Sequence, residues 1–332
     1  MNNDLMKEII EAVNHTIFGY LSGHETLSRD KALQEMLFYA LGFDNNGGLL
    51  SGGKRLRPLF CCLSCGLMSG SYREALLYGA GLEMLHNFTL IHDDIEDNGD
   101  VRHKRPALWK RDGLALALNA GDMLYNIAME AEAEADRSSG LTGFRCVLTM
   151  AGHLFMGQHR DISFENRTDI TEYEYLQMVR GKTSALLGCA FALGAMAGGA
   201  DEKTIEDFEY AGQRLGIAFQ IRDDYLGTWG DSDVFGKSVS GDIMEKKNTL
   251  AVVYTAERDP VFRSLWAGYD GSAERVREFS GMMEKAGAPQ YLQEQCAKYT
   301  NEAQDILSAY RSGNEYQSLL DKIIVSLVDR NI

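Results

Sequence analysis

Residues 74–97 read EALLYGAGLEMLHNFTLIHDDIED. The stretch is a long, largely apolar run led by Leu and has no Pro, so it predicts a helix that ends in the acidic cluster His92-Asp93-Asp94-Ile95-Glu96-Asp97. Residues four apart on a helix share a face, so Asp93 and Asp97 point the same way and Asp100 is expected to continue the stripe. A second cluster, Gln220-Ile221-Arg222-Asp223-Asp224-Tyr225, closes another long apolar stretch. Like charges on one face repel unless a cation sits before them. Hard carboxylate oxygens facing a cavity suit Mg2+, which keeps several waters and takes phosphate oxygens as further ligands. The pattern therefore predicts a site for a metal-bound diphosphate.

Composition sets the surroundings of that site. The chain has 332 residues, ample for a large core, and only 4 Pro, with few stretches of strand period, so helices are expected almost throughout. Helical patterns run over 59–70, 74–97, 113–135, 146–161, 171–197, 204–227 and most of 248–328. Loops are expected at 42–53, 98–112, 162–170 and 228–247. With no linker or repeat to divide it, the chain reads as one all-α domain over 1–332. Both acidic clusters sit at helix ends, and two such ends brought together would form the mouth of a deep central cavity in a single large helical bundle.

Net charge excludes some partners. At -15, the chain lacks the Lys and Arg excess that non-specific nucleic-acid or anionic-membrane binding needs, so a phosphorylated substrate must be met by local cations. The six Cys are irregularly spaced and no apolar signal core opens the chain, which predicts reduced thiols in a cytoplasmic enzyme. Cys62 and Cys65 form a CxxC without a second pair and read as helix packing. The uncharged segment 183–200 is rich in Gly and Ala and reads as a close-packed core helix, not a transmembrane segment.

Three blander motifs fail on detail. A Ca2+ loop starting at Asp94 would place Arg105 where a bidentate Glu is required, and one starting at Asp231 would place Phe235 at a ligand position. Gly236-Lys237-Ser238 lacks the spacing and the preceding strand of a phosphate-binding P-loop. His92 has no second His or Cys at zinc-ligand spacing and reads as an oriented structural histidine.

Cationic partners sharpen the reading. Gly52-Gly53-Lys54-Arg55-Leu56-Arg57-Pro58, His86 seven residues before Asp93, and Asp100-Val101-Arg102-His103-Lys104-Arg105-Pro106 surround the first cluster. Gly157-Gln158, Gly181-Lys182-Thr183, Gly236-Lys237 and Asp242-Ile243 with Lys247 and Thr249-Leu250 accompany the second. Together they resemble the trans-type isoprenyl diphosphate synthases over residues 50–255, most like farnesyl and geranylgeranyl diphosphate synthases.

That resemblance implies an isoprenoid-synthase bundle and an Mg2+-dependent condensation of isopentenyl diphosphate with an allylic diphosphate, in a homodimer. Asp93 and Asp97 would be direct metal ligands and Asp223 the ligand of a third Mg2+ ion, with Asp94 and Asp224 supporting. Arg102, Lys182, Lys237 and Lys247 would bind the allylic diphosphate by charge-assisted contacts. Lys54, Arg57, His86 and His103 would hold isopentenyl diphosphate, while Thr183 and Gln220 would turn oxygen dipoles toward the carbocation. Phe88 and Thr89, about one turn before Asp93, would set the floor for the growing chain and favour a C15–C20 product, with geranylgeranyl preferred.

Two positions depart from the family pattern. His103 stands where many members carry a second Arg, and Gly227 stands where the second motif usually has its third Asp. Gly227 lends weight to an alternative, a non-catalytic subunit of a heteromeric synthase, which the complete Asp93-Asp94-Asp97 set opposes. A class I terpene cyclase is opposed by Lys54, Arg57 and His86, because a cyclase needs no second diphosphate site.

Overall fold

Leu5, Ile9, Val13, Ile17 and Leu21 recur every four residues, and all five are buried along one face of the first helix, α1 (Asn2–Gly23). The computed structural model describes residues 2–50, 53–230 and 241–328. Within them the chain is all-α, and the one sheet is a hairpin of two short strands. By proximity in space the residues divide into two compact units.

The first unit comprises Met1–Val147, Ala190–Glu206 and Ser312–Leu320. Helices α1 and α3 (Leu56–Ser69) pack on α4 (Leu76–Glu96), the helix predicted from residues 74–97. α2 (Lys31–Leu41) starts on an Asp30 cap whose carboxylate accepts from the Leu33 amide at 3.1 Å and stops at Gly42, whose φ of 86° only glycine adopts cheaply. α4 pairs antiparallel with α6 (Leu114–Ser139), with His92 against Gly121, Phe88 against Tyr125 and Gly81 against Glu132. In two of these three pairs a glycine faces a large side chain. A Cβ on Gly121 would lie 2.5 Å from His92 Nε2, and one on Gly81 would overlap the Glu132 carboxyl, so both glycines are what allow the two helices to close.

Cys61, Cys62 and Cys65 are buried on α3, which bears out packing rather than chemistry for the CxxC pair. Burial pushes the Cys65 thiol up to about 11, well away from a reactive thiolate. The segment predicted to be a close-packed helix is α9 (Ala185–Ala197), and a Cβ at Gly194 would overlap the Cys61 carbonyl of α3. No described helix is long and apolar enough to cross a membrane.

The second unit comprises Leu148–Cys189, Asp207–Arg311 and Asp321–Ile332. Phe262, Trp266, Tyr269 and Phe279 stack at its centre against the helix Leu250–Arg258. α10 (Glu202–Trp229) carries the second acidic cluster two turns before its end, and so runs slightly past the expected stop at Gly227. α8 (Glu172–Val179) opens with a reciprocal cap between Thr171 and Glu174. It passes directly into a π-helical turn, Arg180–Ser184, where a regular helix was expected across 171–197.

Candidate active site

α4 ends at Glu96, Asp97 caps it, and Asn98 turns the chain away at φ 52°. This corrects the expected stripe: Asp93 and Asp97 flank the last turn, but Asp100 lies beyond the helix and pairs with Lys110 at 3.0 Å. Asp94 is buried and accepts from Arg102 Nε and Nη2 at 3.0 and 2.5 Å. Asp97 is exposed, and its carboxylate has no ion pair or hydrogen bond among the described residues.

The predicted loop after the cluster is a hairpin, Val101–Arg102 paired with Arg105–Pro106, followed by the short helix α5 (Leu108–Asp112). Its turn residues His103 and Lys104 adopt φ of 51° and 63°, the left-handed pair that a tight two-residue hairpin demands. Tyr39 of α2 fixes the hairpin. Its hydroxyl donates to the Pro106 carbonyl at 2.8 Å, and the guanidinium groups of Arg105 and Arg111 lie 3.7 and 3.9 Å from its ring. Arg102 and His103 are thus presented by a braced turn. Sequence reading gave no sign of Tyr39, whose role depends on residues about 66 positions away.

Three cations fall within Lys54–Arg57, and the fold separates them. Arg55, the N-cap of α3 at φ 50°, is buried and donates to Glu83 at 2.7 Å, to the Leu41 carbonyl at 2.7 Å and to Asn14 at 3.0 Å. It is a structural ion pair. Lys54 is exposed, while Arg57 is half-buried with its Nε unpartnered among the described residues. Burial lowers the Arg57 pKa, opposed by the nearby Glu83 and Asp93. His86 is half-buried beside these cations: burial first, then Arg57, Arg102, Arg55 and His103, holds its pKa well below the usual histidine value. The His103 pKa is lowered by burial, then by Arg102 and Arg55. Cations gathered with an unpartnered guanidinium nitrogen fit an anion.

One turn behind the aspartates, the Phe88 ring is 4.7 Å from His92 and 5.1 Å from Tyr125, and Thr89 donates its hydroxyl proton to the His86 carbonyl at 2.7 Å. His92 Nε2 lies 3.5 Å from Asp122 but makes no hydrogen bond among the described residues, and the ring packs against Phe88 and Gly121.

In the second unit, the π turn carries Lys182 and Thr183. Gly157 of α7 (Gly143–Phe164) and Gly181 permit it, since a Cβ on Gly157 would overlap the Lys182 backbone nitrogen. Lys182 donates to Asp161 at 2.5 Å. Thr183 donates to Gln220 Oε1 at 2.9 Å, and Gln220 Nε2 donates to Asp224 at 3.0 Å. Asp224 also accepts from the Tyr175 hydroxyl at 2.6 Å and from the Leu250 amide at 2.7 Å. Burial raises Asp224 to about 7, against these three donors. Its neighbour Asp223 is exposed on α10, with its carboxylate in no hydrogen bond or ion pair among the described residues. Lys247 contacts Glu245 at 2.6 Å and Asp242 at 3.7 Å. Lys237 and Asp231 lie outside the described residues.

In the first unit Asp97 offers an exposed carboxylate one turn from Asp93, and in the second unit Asp223 offers another. Among the described residues no three side chains of ligand type converge. Exposed carboxylates are the hard-oxygen donors that Mg2+ takes one or two at a time, with water and phosphate completing its shell.

Comparison with known proteins gives a concordant answer. The family model described as polyprenyl synthetase matches residues 45–284. The chain is 39% identical over 252 residues to a geranylgeranyl diphosphate synthase of Saccharolobus solfataricus, covering 75% of this chain and 72% of that one. It is 34% identical to a short chain isoprenyl diphosphate synthase of Methanothermobacter thermautotrophicus, over 82% and 85% of the two chains. A crystal structure of a geranylgeranyl pyrophosphate synthetase from Pyrococcus horikoshii superposes with a TM-score of 0.87 at 27% identity, covering 99% of this chain and 98% of that one.

Proposed function

This chain belongs to the polyprenyl synthetase family and is a prenyltransferase, and we propose that it condenses isopentenyl diphosphate with an allylic diphosphate to give a C15–C20 product, geranylgeranyl diphosphate preferred. The observation that carries the reading is the set Lys54, Arg57, His86, Arg102 and His103 in the same unit as Asp93 and Asp97, because an elongating enzyme must hold a second diphosphate close to its metal-bound one.

The family's reaction runs on Mg2+, and three ions held by Asp93, Asp97 and Asp223 would supply Lewis-acid neutralisation of the departing diphosphate. Arg102, Lys182, Lys237 and Lys247 bind and orient that diphosphate. Asp94 and Asp224 act indirectly, the first by holding Arg102 and the second by fixing Gln220. Thr183 aligns the Gln220 amide, whose oxygen dipole stabilises positive charge on the allylic carbon. Lys54, Arg57, His86 and His103 hold isopentenyl diphosphate with its double bond toward that carbon, and the proton lost on C–C bond formation passes to the released diphosphate. Phe88 and Thr89 bound the growing chain. The enzyme works as a homodimer and as a single functional domain.

The test is incubation with Mg2+, labelled isopentenyl diphosphate and separate five-, ten- and fifteen-carbon allylic primers, followed by chromatography of dephosphorylated products. Products in five-carbon steps that stop at C20 are expected. No incorporation with any primer would remove the elongation reading.

A further inference from the structure

Asp223 and position 227 are one turn apart on α10 and share a face, yet residue 227 is a glycine with no side chain to present there. The space is nonetheless filled. A Cβ built on Gly227 would overlap Asp242 Oδ2, and it would lie 2.5 Å from Asp242 Cγ and 3.1 Å from Oδ1. We propose that Asp242 takes the place, as a partner to Asp223, of the carboxylate that the second motif lacks at 227, delivered from the helix Gly241–Met244 into the volume that a side chain there would occupy. The inference rests on the reading of Asp223 as a metal ligand.

Local packing holds Asp242 there. Ile243 beside it is buried in the aromatic core of the unit, and the Asp242 carbonyl accepts from the Lys247 amide at 2.9 Å, closing the turn that follows. The Asp242 side chain is 14% exposed. Lys247 Nζ stands 3.7 Å away, beyond hydrogen-bond reach, and is closer to Glu245 at 2.6 Å. The charge of Asp242 also reaches Asp224 and adds to the rise in its pKa. A side chain at 227 and the present position of Asp242 exclude each other. Gly227 is accordingly the residue that admits a carboxylate from a neighbouring element, and its presence does not mark a lost site.

The test uses the full chain and a non-hydrolysable allylic diphosphate analogue, and reads the Mg2+ concentration that gives half-maximal thermal stabilisation. Melting without ligand reports folding for each variant. Asp242→Ala is expected to raise that concentration about tenfold or more, a shift of about 1.4 kcal/mol. The swap Gly227→Asp with Asp242→Ala is expected to return it to within roughly threefold of wild type, because a carboxylate again fills the same volume from the other backbone. An unchanged Mg2+ requirement in Asp242→Ala overturns the inference. So does a rise that the swap does not repair, which would leave Asp242 as a positioning residue for Lys247. Asp223→Asn separates the two levels: if it too leaves the Mg2+ requirement unchanged, the reading of the second cluster itself is what fails.

Discussion

Arg102 donates from both Nε and Nη2 to one carboxylate oxygen of Asp94, eight residues earlier in the chain. The middle acid of the first cluster is therefore buried and engaged by the hairpin that follows it, whereas Asp97 remains exposed. Chemically identical residues three positions apart thus sit in different surroundings, and substitutions should separate their roles.

Asp94→Asn should weaken a charge-assisted pair and cost roughly 1.5–3 kcal/mol of stability in urea, with a modest rise in the Mg2+ requirement. Asp97→Asn should leave the urea midpoint within about 0.5 kcal/mol of wild type and raise the Mg2+ requirement steeply. Equal effects of the two variants on both readouts would contradict the division of roles.

His86 is held below its ordinary pKa by burial and by four neighbouring cationic or basic groups. The unfolded chain, titrating near 6.5, takes up the proton first. The contribution of His86 to stability is thus complete above that value and is lost as pH falls through it toward the lower folded pKa. His86→Gln should flatten the loss of stability between about pH 7 and 5. In wild type, inorganic pyrophosphate should move the NMR titration midpoint of the His86 ring upward, and an unmoved midpoint would argue that no diphosphate binds beside it.

Glu132 is fully buried against Gly81, and neither carboxyl oxygen has a hydrogen-bond partner among the described residues. Desolvation, then the charge of Asp136, raises its pKa well above the usual carboxyl range. A carboxyl whose folded pKa is raised favours the folded state at acid pH and penalises it as pH rises past the unfolded value of about 4.3. Glu132→Leu, close in volume, should therefore stabilise by roughly 1–3 kcal/mol at neutral pH, with the gain shrinking toward pH 4. Calorimetric melting across that range would show a pH-independent effect if the penalty is steric instead.

Phe88 fills the α4–α6 seam against Tyr125. Phe88→Ala should open that seam and lengthen the main product by at least one five-carbon unit. Because the void is costly, on the order of 3–5 kcal/mol when unfilled, the variant should also melt lower without ligand and recover part of the loss when a long-chain product binds. An unchanged product distribution would place the floor elsewhere.

The fold class was legible because helix period and capping are local. The α4 stretch, the aspartates and the core character of Cys62 and Cys65 all follow from neighbours within a turn or two. Even the missed helix α1 carried its signal in Leu5, Ile9, Val13, Ile17 and Leu21. The order of the cationic motifs likewise pointed to the family before any coordinates.

Nothing in Lys54-Arg55-Leu56-Arg57 announces that Arg55 turns inward to Glu83, 28 residues on, while Lys54 is exposed. Nor does a glycine at 227 disclose that an aspartate fifteen residues later stands in its place. The sequence by itself determined which residue types recur at helical spacing and where acids and cations gather along the chain. Which of those charges is buried, paired or left to meet a ligand was decided only in the tertiary structure, because each side chain must occupy whatever volume and find whatever partner the packing of distant elements leaves it.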